Sequence, residues 1–355
     1  MRSLLASVSL AAVVTCAGVA FADTPPSAWD RARDPAAVER YRLHEHVQQE
    51  LTPPLGMPKE MHVVLREGAR AELEAASAAT SPDVRLRFDL GEVYEALDRH
   101  EEALAVLRPA LAMAPNHSAA PRAWLAFAFA AAKLDRSTEE LQGYDAFLAT
   151  AVVDDPRVLA NRAEAEMRLG NLDAAVAGYR DVIERIEHGR FGTMADLQEL
   201  ALARWGLAVA LDRLGDRTAS DAEIHVVAVL EDPQEHFIGD HENVFFVPDY
   251  ERDWYYALGR AEHARLEANP VRALATWNLV VATWADYIQR ASKHVPTERW
   301  LPLARAHLAT AKAAQEAVAA RVSALKPALK KATPETREER TAKLRALVGL
   351  PPEAP

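Results

Sequence analysis

A tight turn of the form Leu-Asp or Leu-Gly recurs along the middle of this chain, and each copy separates two stretches with helical periodicity. Successive copies are 37, 35 and 45 residues apart. A repeat period in this range is typical of arrays of helical pairs, in which each pair buries its apolar side against its neighbours. The sequence therefore predicts an all-α solenoid of antiparallel helix pairs. The turns are Leu97-Asp98, Leu134-Asp135, Leu169-Gly170 and Leu214-Gly215.

The segment 84–117 shows this pattern most completely. Gly91 and Ala103 are small, so the two helices can approach closely there, whereas Tyr94 and Leu107 are expected to fill the groove between them. This segment closely resembles a tetratricopeptide repeat. The matching positions are Leu90, Gly91, Tyr94, Ala103, Leu107, Ala110 and Pro115.

The resemblance extends over residues 84–292, with further copies predicted at 118–155, 156–188, 194–232 and 250–292. The second copy departs from the pattern, because Glu140 stands where a small residue belongs. The remaining predicted segments are a signal peptide (1–22), an N-terminal helical pair (23–83), a capping helix (293–325) and a charged tail (326–355).

The resemblance implies that the first helix of each pair lines a concave face that takes an extended peptide. Arg157 and Arg168 are eleven residues apart, three helical turns, so they point the same way, and Arg122 and Lys133 repeat that spacing. Such a basic stripe could recognise acidic or C-terminal carboxylate groups. A basic residue before the turn is also ordinary in these repeats and commonly solvated. The candidate partner-binding residues are Arg85, Arg122, Phe129, Lys133, Arg157, Asn161, Arg168, Trp205 and Arg213.

The carboxylate clamp of chaperone-type members of this family is not reproduced. Phe88 and Glu92 occupy two of the positions where that clamp has Lys or Asn. The chaperone-type partner class is therefore disfavoured, and the expected partner is another kind of protein or peptide.

The first residues predict export. Arg2 precedes an uncharged apolar run from Leu4 to Ala20, and Ala20-Phe21-Ala22 fits a signal-peptidase site, with cleavage expected after Ala22. The protein is then periplasmic or secreted. The alternative is a lipoprotein anchored at Cys16, the only cysteine in the sequence. No later stretch has the apolar length of a membrane-spanning helix.

Recognisable catalytic motifs are absent from the sequence, so we expect no enzymatic activity and no cofactor. The formal net charge of −11 also disfavours nucleic acid as a partner. The expected function is a protein- or peptide-binding scaffold of the bacterial cell envelope.

The connector 231–253 leaves an alternative function open, that of a metal- or small-ligand-binding protein and possibly an enzyme, since it combines histidines with carboxylates. His236, Asp240, His241 and Glu242 are candidate metal ligands there, or members of a solvated acidic loop. Its flanking aromatic residues, which include Trp277 and Trp284, are predicted to fill the core or else to line a ligand cleft.

Overall fold

The structure, a computed structural model, describes residues 34–54, 56–150, 155–189, 194–230, 246–294 and 299–331. Over these ranges the chain forms thirteen α-helices and one short 3-10 helix, without a strand. The all-α repeat architecture that the sequence predicts is confirmed. The predicted signal peptide and most of the predicted tail lie outside the described ranges.

The helices follow one another with short connections. The first ten are α1 (Pro35–Leu51), α2 (Lys59–Ala75), α3 (Val84–Ala96), α4 (His100–Met113), α5 (Ala120–Lys133), α6 (Ser137–Thr150), α7 (Pro156–Leu169), α8 (Leu172–His188), α9 (Met194–Leu214) and α10 (Arg217–Leu230). The last three are α11 (Glu251–Leu266), α12 (Pro270–His294) and α13 (Leu301–Lys331).

The last helix is displaced from its predicted position. It begins at Leu301 and continues to Lys331, beyond residue 325 where the sequence predicts its end. The sequence from 326 to 331 consists of Lys, Pro, Ala and Leu, most of which favour helix.

Aspartates set the start of two of the first helices. The carboxylate of Asp83 accepts a hydrogen bond from the backbone N–H of Arg85 (3.1 Å), at the start of α3. Asp155 accepts one from the N–H of Arg157 (2.9 Å), at the start of α7. Each carboxylate satisfies an N–H group that the helix itself leaves unpaired.

The four recurring turns end the first helices by one mechanism. Each contains a residue with positive φ, and these residues are Asp98, Asp135, Gly170 and Gly215. At each turn the next backbone N–H bonds back to a carbonyl five residues earlier, at 2.8 to 3.0 Å. Left-handed backbone is accessible to glycine and, at a modest cost, to aspartate, which explains the choice of these two residues.

Small residues let the helices within a pair approach closely. In the pair α5/α6, a Cβ placed on Gly143 would meet the Cβ of Ala128 at 2.8 Å and its Cα at 3.0 Å. In the pair α7/α8, a Cβ on Gly178 would meet the Cβ of Ala163 at 2.9 Å. In the pair α3/α4, Gly91 instead makes room for the side chain of Leu107.

The chain divides into two compact units, Met1–Arg252 and Asp253–Pro355. In the first unit each helix packs against its sequence neighbour, from α1 to α10. The first helices of neighbouring pairs also touch: α1 contacts α3, α3 contacts α5, and α7 contacts α9. These contacts place α1, α3 and α5 side by side, and likewise α7 and α9.

The second unit is built from α11 beyond Arg252, α12 and α13, and its core is aromatic. The rings of Trp254 and Trp284 meet edge to face at 5.0 Å, and the imidazole of His307 stacks on Trp284 at 4.8 Å. Trp254, Trp284 and Tyr287 are buried. Trp277 is 6% exposed, so the predicted choice between core and cleft is settled in favour of core for Trp277 and Trp284. None of the described helices has both the length and the apolarity needed to cross a bilayer.

Candidate functional site

All candidate partner-binding residues except Arg85 belong to α5, α7 and α9, the first helices of successive pairs, and we call the stripes on which they lie the first-helix face. On α5 the positions 122, 125, 129 and 133 share one stripe, and on α7 the positions 157, 161, 164 and 168 do so. The face is defined by Arg122, Leu125, Phe129 and Lys133 of α5, Arg157, Asn161, Glu164 and Arg168 of α7, and Trp205, Val209 and Arg213 of α9.

Arg122 is the most accessible of the paired arginines on this face, with half of its side chain exposed (50%). Its Nη2 donates to Oε2 of Glu92 at 2.8 Å, and its Nη1 donates to the side-chain oxygen of Gln48. Glu92, which stands where the chaperone-type clamp has a different residue, thus pairs with a predicted face residue.

A buried carboxylate cluster lies beneath this arginine. Nδ1 of His44 lies 2.7 Å from Asp89, and the amide of Gln48 donates to the same carboxylate at 2.7 Å. Burial raises the pKa of Asp89 and of Glu92, although His44 opposes the shift at Asp89 and Arg122 opposes it at Glu92. At this end of the face, a half-exposed arginine therefore lies over two buried carboxyl groups.

Two half-buried apolar residues, Leu125 and Phe129, lie between the cations of α5. They pack on a small core of Ala128, Tyr144 and Val158. The rings of Phe129 and Tyr144 meet edge to face at 6.2 Å.

Lys133, which is exposed at the far end of the α5 stripe, lowers the pKa of a carboxyl group of α3. Burial raises the pKa of Glu95 to about 7, and the positive charges of Arg66 and Lys133 oppose that shift. The α5 stripe is thus apolar in the middle and cationic at both ends.

The face residues of α7 are half-buried and engaged. Arg157 pairs with Asp155 at 2.7 Å, the same aspartate that caps the helix. Burial raises the pKa of the Tyr144 hydroxyl, and the side chain of Asn161 opposes that shift. The pair with Asp155 holds Arg157 on the stripe.

Arg168 is shared between two carboxylates. It donates to Glu140 of α6 and lies 3.9 Å from Glu164 on its own helix. Burial raises the pKa of Glu140 to about 7 and also raises that of Glu164, while Arg168 lowers both. Glu140 stands at the position of the second copy where the repeat pattern has a small residue. Its role there is to pair with Arg168, a predicted partner-binding residue.

At the α9 end of the face the side chains are buried, and we call this end closed. Trp205 and Val209 are buried, and the side chain of Arg213 has no exposed surface. Arg213 pairs with the carboxylate of Glu251, at the start of α11. Arg168 donates to the backbone carbonyl of Val247 at 3.1 Å. Exposure along the face therefore decreases from α5 to α9.

Arg85 lies apart from the α5 and α7 stripes. Its guanidinium pairs with Asp83 at 2.7 Å and lies over the ring of Tyr41, 5.4 Å from the centroid. It is the N-terminal counterpart of the Asp155–Arg157 pair.

The candidate metal ligands at 236, 240, 241 and 242 lie outside the described residues, so that prediction stays open. Among the residues that the structure describes, no three His, Cys, Asp or Glu side chains are grouped so that they could hold a metal ion.

The sequence model of the tetratricopeptide repeat family matches residues 84–117, the segment singled out above. A solved structure of a tetratricopeptide repeat protein from Parabacteroides merdae is similar to this chain at 16% identity, covering 81% of this chain and 98% of that one with a TM-score of 0.43. Among curated proteins, none matches the sequence. The predicted tetratricopeptide character is confirmed.

Proposed function

We propose that this tetratricopeptide repeat protein is a non-catalytic scaffold that binds a segment of another protein along its first-helix face. Repeats of this family generally mediate contacts between proteins. The finer assignment, to the α5 end of this face, is supported by the exposure of the α5 stripe.

The observation that carries the proposal is the composition of that stripe. Two half-buried apolar side chains, Leu125 and Phe129, lie between two exposed cations, Arg122 and Lys133, on a single helix face. An apolar centre flanked by charges suits an extended segment that buries an apolar side chain and presents acidic groups on either side. Arg122 keeps half of its surface in solvent, so it can take a partner carboxylate without first being uncovered.

A charge reversal on the stripe tests the proposal against a matched control. Arg122→Glu and Lys133→Glu are compared with Arg108→Glu, since Arg108 of α4 is equally exposed (51%) and is also ion-paired, with Glu139. Tagged protein is cross-linked in envelope extracts and the captured proteins are identified. We expect Arg122→Glu and Lys133→Glu to lose a specific partner that wild type and Arg108→Glu retain. If all three variants capture the same proteins as wild type, the α5 stripe is not the binding surface.

We further propose that the scaffold works in the bacterial cell envelope, after removal of residues 1–22. The charged start at Arg2, the apolar run and the small residues before Asp23 support export. Mass spectrometry of the protein from its native host decides between the two forms of export. A chain that begins at Asp23 supports a free periplasmic or secreted protein, and an acylated N-terminal Cys16 supports the lipoprotein. A chain that retains Met1 contradicts the proposal.

A further inference from the structure

The α9 end of the first-helix face is occupied by residues of the same chain. We call residues 246–252 the insert segment. The backbone carbonyl of Val247 accepts a hydrogen bond from Nη1 of Arg168 at 3.1 Å, and the carboxylate of Glu251 accepts one from Nη2 of Arg213. The two arginines belong to α7 and α9, so the insert segment bridges two neighbouring first helices.

The burial of both sides of this contact is nearly complete. Val247, Tyr250 and Glu251 are 7%, 2% and 6% exposed. The side chain of Arg168 is 9% exposed and that of Arg213 has no exposed surface, whereas Arg122 on the same face is 50% exposed. Arg213 is therefore enclosed where it pairs with the insert segment, whereas Arg122 is open to solvent.

The chemistry of the contact is that of peptide recognition. One arginine binds a main-chain carbonyl and the other a carboxylate four residues later, with an apolar side chain at the first of these positions. The planar guanidinium fork suits both acceptors. A protein segment with an apolar residue followed four positions later by Asp or Glu carries the same groups.

We propose that the insert segment is a built-in ligand of the first-helix face, and that an external acidic segment of this pattern binds Arg168 and Arg213 by displacing it. The proposal rests on the scaffold function proposed above and names the chemistry of a partner at the closed end. The built-in ligand then keeps that end of the face shut until a competitor is present.

The charges around the contact select for an acidic competitor. Three carboxylates, those of Glu140, Glu164 and Glu251, surround two arginines, Arg168 and Arg213. Glu164 is repelled by Glu251 and attracted by Arg213. When Glu251 leaves, the buried Arg213 loses the carboxylate with which it pairs. An incoming carboxylate restores the original arrangement.

Peptide binding to the full chain tests this directly. The probe is a fluorescently labelled peptide with the sequence of residues 246–252, Phe-Val-Pro-Asp-Tyr-Glu-Arg. Glu251→Gln weakens the internal competitor, and we expect it to bind the probe at least about tenfold more tightly than wild type does, because the competent face is then more populated. Glu262→Gln is the control, since Glu262 lies on the same helix with similar burial (8%) and pairs with Arg265. Adding Arg213→Gln to Glu251→Gln is expected to abolish the gain.

A second measurement needs no substitution, in case Glu251→Gln misfolds. Hydrogen exchange of the wild-type chain is followed with and without a saturating excess of the unlabelled peptide. We expect deuterium uptake by residues 246–252 to rise and uptake by α4 to stay constant. Unchanged uptake, or equal affinity of the probe for wild type and a folded Glu251→Gln chain, overturns the inference and makes the insert segment a fixed part of the core. If the inference fails while Arg122→Glu still loses its partner, the scaffold function stands without it.

Discussion

Gly143 of α6 lies against the backbone of Ala128 of α5, and replacing it by alanine tests whether this contact sets the spacing of the pair. A methyl group at Gly143 would lie 2.8 Å from Cβ, 3.0 Å from Cα and 3.0 Å from the backbone N of Ala128. Two of these three atoms belong to the backbone, so relief requires the helices themselves to separate. Overpacking of this kind costs about 1–3 kcal/mol.

Two other helical glycines provide a graded comparison. Gly68 of α2 is exposed and a Cβ there meets nothing within 4 Å, so Gly68→Ala should stabilise the chain by about 1 kcal/mol through helix propensity alone. At Gly178 only the methyl group of Ala163 is close, at 2.9 Å, and its Cα lies at an ordinary 3.7 Å. Gly178→Ala should therefore fall between the other two variants, because only one atom is in close contact but that methyl group is fixed to the backbone and cannot turn away.

For Gly143→Ala the propensity gain of about 1 kcal/mol reduces the steric cost to a net loss of about 1–2 kcal/mol. The variant should melt several degrees below wild type, since about 1 kcal/mol shifts Tm by roughly 2–4 °C in domains of this size. Thermal and urea unfolding followed by far-UV circular dichroism give the ranking Gly68→Ala above Gly178→Ala above Gly143→Ala. A Gly143→Ala chain as stable as Gly68→Ala would refute the close-approach argument.

Two further predictions follow from the turns and from the buried charges. Gly215→Ala should destabilise the chain by about 1–2 kcal/mol. The reason is that φ is +93° there and a Cβ meets open space, so the cost is that of left-handed backbone alone. Gly215→Asn should cost less, and an unchanged Tm for the alanine variant contradicts the assignment. Glu140 keeps its proton to about pH 7 in the folded chain against 4.5 for an ordinary glutamate, so its pKa shift makes the unfolding free energy fall by up to about 3 kcal/mol as pH rises from 4.5 to 7. Glu140→Gln should flatten that part of the stability–pH curve in urea titrations at a series of pH values, and a curve as steep as that of wild type excludes Glu140 as its source.

The turns were predictable from sequence because their cause is local. A residue with positive φ must be glycine or a tolerant residue such as aspartate, and it follows directly on the leucine that ends the helix, as at Asp135 and Gly170. The pattern is therefore readable from two adjacent letters. The helix-capping pairs were equally local, since Asp83 and Asp155 each precede by two residues the arginine that they bind. That spacing was a usable signal of pairing, and it shows Arg85 and Arg157, two of the candidate partner-binding residues, to be engaged within their own turn.

The small residue that allows α5 and α6 to approach closely is also present in the sequence, three positions after the site where the repeat pattern has one. The sequence comparison placed Glu140 at the small-residue site of the second copy, whereas the structure uses Gly143 against Ala128. Gly143 and Gly178 are 35 residues apart, as are Ala128 and Ala163. Matching the second copy to the third, rather than to the family pattern, identifies the contact.

The closed end of the face could not be read from the sequence, because its partners are distant along the chain. Arg168 meets Glu140 from 28 residues away, and Arg213 meets Glu251 from 38 residues away. Helical periodicity predicts on which face of its own helix each arginine lies, but it contains no information about which carboxylates pair with it. Such pairings depend on how successive helix pairs stack.

The gradient of exposure along the face has an energetic consequence for binding. Arg122 keeps half of its side chain in water while it pairs with the buried Glu92, so a partner carboxylate can join the arginine without separating that pair. Removing one member of a buried pair such as Arg213–Glu251 costs about 3–5 kcal/mol, because the remaining charge is left without compensation. A neutral ligand can therefore bind at the α5 end, where no charge is stranded. At the α9 end only a ligand that supplies its own carboxylate avoids that cost, so the same row of arginines selects weakly for acidic partners at one end and strongly at the other.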